Sequence, residues 1–303
     1  MSTAPPEPIS EPFEHPAPPR APELPDGVEA TPMSPVWRPW MAIAGLFLGF
    51  VAAAVGAIIL GLVGAAFSGG TLAAGGDLSS PSPAVSILST VVQDLCLIGA
   101  ALLLARLVAR PRPWDFGLNG TPFLPALGWG LLTWGSFLVI TLVWVKLVGA
   151  ENASEKLPKE LGADKSSIAL ASVGVLVCVV APFAEEFFFR GFFFKALSSW
   201  KGIWPAAVLT GLVFGGIHAG SADIAFLVPL GFFGSALCLL YVKTGSLYPC
   251  IAVHAVNNSI AFCSSQDWGW QMLPVLAGAL LMVALVCWLI RLASGPAPAW
   301  ALP

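Results

Sequence analysis

Residues 167–190 read SIALASVGVLVCVVAPFAEEFFFR, and this stretch decides what kind of protein the chain builds. From Ser167 to Ala184 it holds no charged side chain, and it then places Glu185, Glu186 and Arg190 at the end of the same apolar run. At a rise of about 1.5 Å per residue, roughly 20 such residues cross a bilayer core about 30 Å thick. A charge near the centre of that core costs from about 2.5 to more than 10 kcal/mol, so a charge that persists there needs a partner or a function. The two glutamates cannot share a direction, because successive helical residues point about 100° apart. Glu186 and Arg190 stand one turn apart with the acid first, the favourable order for an ion pair. Glu185 is left to face other spans.

The rest of the chain agrees with this reading. Of its 303 residues, 57% are apolar and only 10% charged, where a soluble domain carries about 25%. The 14 basic and 17 acidic side chains give a net charge of −3, which excludes a nucleic-acid binder working through a basic face. The cysteines, at 96, 178, 238, 250, 263 and 287, show no CxxC spacing and read as small packing residues, not as a disulfide framework or a zinc site. Apolar runs predict spans near 41–67, 84–105, 122–148, 167–189, 203–219, 224–242, 246–263 and 271–291. The expected fold is all-α, a polytopic transmembrane bundle of about eight spans over 41–293. Residues 1–40 hold 12 of the 27 prolines and six of the 17 acids, and predict a disordered cytoplasmic tail whose polyproline II segments could serve a partner. Residues 294–303 form a short C-terminal tail. The N-terminal segment lacks the pattern of a cleaved signal, so the first apolar run is expected to remain as a span.

Orientation follows from the basic residues. With the N-terminus inside, Arg20, Arg38, Arg106, Arg110, Arg112, Arg190, Lys195, Lys201, Lys243 and Arg291 all fall on the cytoplasmic side. Lys156, Lys159 and Lys165 lie in the opposite loop, 149–166, balanced by Glu151, Glu155, Glu160 and Asp164. Both termini are expected in the cytoplasm of a bacterial cell. Trp37, Trp40, Trp200, Trp204, Trp268 and Trp270 fall at the expected interfaces.

Few other ionisable groups enter the spans. Lys146 sits at a span end and can snorkel. Asp94 belongs to no motif. His218 ends the run LVFGGIH, one turn after Phe214, where Gly215 and Gly216 would let another backbone approach. His254 lies in YPCIAVHAVNNSI, with Asn258 one turn later on the same face. Straight helices with these boundaries would leave Glu185, His218 and His254 at different depths. The fourth helix is therefore predicted to continue past Arg190, and tilted or broken helices to enclose a polar, water-filled cavity.

These residues carry a family resemblance. EEFFFR resembles the EExxxR motif, Phe214 to His218 the FxxxH motif and His254 to Asn258 the HxxxN motif of the CPBP family, the CAAX prenyl protease and bacteriocin-processing proteins also called the Abi group. The three stand in the family's order within about 165–265. The resemblance implies an intramembrane endopeptidase of the type II CAAX kind, acting on a membrane protein or peptide. Glu185 and His218 would activate a water, His254 and Asn258 would stabilise the oxyanion, and Glu186 with Arg190 would hold the helix so that Glu185 points inward. Glu185, His218 and His254 also resemble the His2Glu set of catalytic zinc sites, so a zinc-dependent mechanism stands beside a metal-independent glutamate mechanism. A non-proteolytic Abi-type immunity or scaffold protein is the alternative. A transporter is a further one, weakened because the first half holds no repeat partner for EEFFFR.

Overall fold

The computed structural model describes residues 37–67, 81–151, 153 and 156–294, and every regular element among them is helical. The long helices are α1 (Pro39–Phe67), α2 (Pro83–Arg106), α3 (Phe123–Val148), α4 (Ser167–Lys201), α5 (Ile203–Ile217), α6 (Leu227–Thr244), α7 (Leu247–Ser265) and α8 (Met272–Ser294). They coincide with the predicted spans. Most of the 1–40 tail, the loop 68–80 and the C-terminal tail after residue 294 lie outside the described residues, together with what the sequence predicts for them.

Seven of these helices are long and apolar enough to cross a membrane, and α7 is the exception. Its 19 residues include His254, Asn257, Asn258 and Ser259, which lower its mean hydropathy. These polar groups are tolerated because α7 packs against α3, α4, α6 and α8. Elsewhere large apolar side chains face outward: Phe47, Leu124 and Leu147 are 72%, 75% and 75% exposed. In water such a surface would drive aggregation; facing acyl chains it costs nothing. The chain is therefore built as an integral membrane protein.

The core forms around α4, whose segment Phe187–Phe194 is buried throughout. Phe188, Phe189, Phe192 and Phe193 are wholly enclosed and pack ring against ring, with Phe189 edge-on to Phe214 of α5 at 5.3 Å. Trp37, just before α1, turns its ring inward. It is 2% exposed, its ring lying 4.9 Å from Phe116 and 5.2 Å from Phe192. The turn Pro113–Phe116 folds back under α4 and gives Trp37 an apolar slot, whereas Trp40, Trp200, Trp204 and Trp270 stay exposed.

Two features of α4 and α5 position the site. First, α4 does run past Arg190, as far as Lys201, and its winding loosens to a π-helix at Leu176–Val180 and again at Phe187–Phe194. Such wider turns re-aim side chains and recur at functional sites. Here they bracket Ala181–Glu186, the α-helical turn that carries both glutamates. Second, α5 and α6 touch backbone to backbone. A Cβ at Gly215 would stand 2.5 Å from the Leu227 carbonyl and 2.8 Å from the Gly231 amide, neither of which can yield. Gly216 faces open space instead. The close contact fixes the end of α5, and with it His218.

Candidate active site

Glu186 and Arg190 form the ion pair that their spacing predicts: Nη1 lies 2.6 Å from Oε1, and both side chains are wholly buried. The guanidinium also donates from Nη2 to the Gly234 carbonyl of α6 at 2.9 Å and stacks over Phe214, 4.7 Å from its centroid. One residue thus ties α4, α5 and α6 together. The same Glu186 Oε1 receives His254 Nδ1 at 2.8 Å. This link from α4 to α7 is not visible in the sequence, because spacing rules speak only of residues on one helix.

With Nδ1 committed to Glu186, His254 presents Nε2 toward Glu185, 3.9 Å from its Oε2. Phe214 and Phe233 meet the imidazole edge-on at 5.8 Å and 5.7 Å and keep it from rotating. Glu185 itself is 16% exposed and its Oε2 has no hydrogen-bond partner. Neighbours in sequence, the two carboxylates therefore have different tasks: Glu186 is enclosed, its Oε1 held by Arg190 and His254, while Glu185 lines a cavity.

His218 begins the turn after α5, and its Nδ1 lies 2.7 Å from the Phe214 carbonyl. A carbonyl only accepts, so Nδ1 carries a proton, and in the neutral ring Nε2 holds the free lone pair. That is the tautomer a general base requires. The Asn258 amide donates to the Val177 carbonyl, inside the first π segment, at 3.0 Å. One of its N–H groups remains for another acceptor.

Glu185, His218, His254 and Asn258 all line one cavity of about 350 Å³, to which the segments around Pro158 and Ser221 also contribute. Its far wall comes from α2, where Thr90, Gln93 and Asp94 face the same space. Sequence reading noticed Asp94 as a charge in a span but had no means of placing it at the site. The volume lies in the range of small-molecule and peptide-side-chain pockets. Among the described residues no group of three or more His, Cys, Asp and Glu side chains is gathered closely enough to hold an ion.

The chain segment that builds this arrangement is the one that matches a known family. Residues 167–260 match the family model described as Rce1-like, type II CAAX prenyl endopeptidase. The match is consistent with the CPBP resemblance of the three motifs, and it contains Glu185, Glu186, Arg190, His218, His254 and Asn258. No curated protein and no solved structure matches the chain.

Proposed function

We propose that the protein is an intramembrane endopeptidase of the CAAX type that hydrolyses a peptide bond with a water activated by Glu185 and His218. The observation that carries the reading is the single cavity onto which both bases and both donors open. A carboxylate and a neutral imidazole with a free Nε2 can orient a water and take its proton, a contribution of about 10²–10⁴ in rate. As the water oxygen bonds to the carbonyl carbon, negative charge moves to the carbonyl oxygen. His254, donating from Nε2 when protonated, and the remaining N–H of Asn258 supply hydrogen bonds there, and such donors are worth about 3–4 kcal/mol each. The C–N bond then breaks, and the proton first taken from water passes to the leaving amine. Glu186 holds His254 through Nδ1 during these steps, and Arg190 holds Glu186.

The segments around Pro158 and Ser221 that bound the cavity lie in loops opposite the arginine-rich ones. With the arginines in the cytoplasm, the substrate meets the cavity from the outer half of the membrane. The test compares new protein N-termini in membrane fractions from cells carrying the wild type or His218→Ala. A set of termini present with the wild type and missing with the variant is expected, mapping to membrane segments or outer flanks. Identical sets would remove the endopeptidase reading and leave an immunity or scaffold role.

A further inference from the structure

Asp94 lies on α2, outside the family match, and takes no part in the proposed hydrolysis. It is 2% exposed and lines the cavity together with Glu185 and His218. Its Oδ2 is enclosed without a hydrogen-bond partner, as is Oε2 of Glu185. No Lys or Arg stands among the residues lining this cavity, and Arg190 is sealed behind the wall, held by Glu186 and Gly234. An unpartnered buried carboxylate is costly. A second one facing the same space adds to that cost; Glu185 has His254 Nε2 at 3.9 Å, whereas Oδ2 of Asp94 meets no donor among the described residues.

We propose that Asp94 is a substrate-binding residue, receiving a guanidinium or ammonium group that the substrate carries beside the bond to be cut, a role that rests on the endopeptidase reading. The cavity supplies the acceptors and the substrate brings the counter-charge. A guanidinium suits this place well, since its donors spread in a plane and can make more than one hydrogen bond to the Asp94 carboxylate. The selected substrate therefore carries a basic group beside the bond to be cut. Thr90 and Gln93, on the same face of α2, add neutral polar contacts beside Asp94.

The experiment uses the full chain in nanodiscs of uncharged lipid and titrates n-butylguanidinium, with butyramide and butyrate as the neutral and anionic controls. Wild type is expected to bind n-butylguanidinium in preference to both controls. Asp94→Asn, which keeps the shape and removes the charge, should weaken n-butylguanidinium by about tenfold or more and leave butyramide unchanged. Its melting temperature should hold or rise, because an uncompensated buried charge has been removed; a merely structural Asp94 would instead lower it and leave the cation preference intact. Asp94→Glu should retain the preference for the cation. Equal n-butylguanidinium affinity in wild type and Asp94→Asn, no binding to wild type, or butyrate binding as tightly would each overturn the proposal. Binding is read without cleavage, so a failed titration leaves the endopeptidase reading standing, and failure of that reading leaves the titration interpretable.

Discussion

Glu185→Ala is expected to lower the turnover of a cleaved membrane substrate by about 10²–10⁴-fold, the contribution of a positioned general base, without unfolding the protein. The two halves of this expectation have separate grounds. Glu185 faces the cavity with an oxygen that makes no hydrogen bond, so its removal strands no partner. Thermal unfolding of the variant in detergent should match or exceed that of the wild type, since one of two neighbouring carboxylates has gone. A single-turnover assay on the reconstituted protein checks the rate. Activity near the wild-type level would mean that the base lies elsewhere.

Arg190→Leu is expected to do the opposite: to lose the fold, and the activity with it. The change leaves Glu186 fully buried with a carboxylate facing only His254, and frees the Gly234 carbonyl. Breaking a buried pair by removing one partner costs about 3–5 kcal/mol, a large share of the about 5–15 kcal/mol by which proteins are stable. The melting temperature should drop steeply and the protein should be depleted from membranes. Removing both charges is a different matter, because apolar replacements for a buried pair are often neutral or stabilising. The double variant Glu186→Leu with Arg190→Leu should recover most of the stability yet stay inactive, since His254 Nδ1 then has no anchor. Recovered activity in that double variant would show that Glu186 does not serve His254.

The boundary between what the sequence disclosed and what it hid follows the range of each interaction. Bilayer thickness acts on single apolar runs, so all eight long helices could be read from composition, α7 included despite its low hydropathy. The Glu186–Arg190 pair was legible because one helical turn separates its members. The continuation of α4 could be inferred, since helices ending near residue 189 would have left Glu185 and the histidines at different depths. The π-helical segments were not legible: the slip from one backbone hydrogen-bond register to another leaves no mark in composition. Nor was the bond between Glu186 and His254, or the burial of Trp37 against Phe116 and Phe192. Those depend on how helices distant in sequence are packed. Asp94 illustrates the limit well. Its cost in a bilayer was evident from the residue alone, while its presence in the cavity became evident only from the packing of α2 against the glutamate-bearing turn of α4.

The central claim is that Glu185 and His218 act together on one water. A double-mutant cycle tests it most directly: turnover of the reconstituted wild type, Glu185→Ala, His218→Ala and the variant carrying both, on one substrate identified from the missing termini. Groups that act as a unit are strongly non-additive. The double variant is expected to be no more than about threefold slower than the slower single one. Losses that multiply, so that the double variant shows the product of the two single effects, would mean that the two side chains work independently and would contradict the shared site.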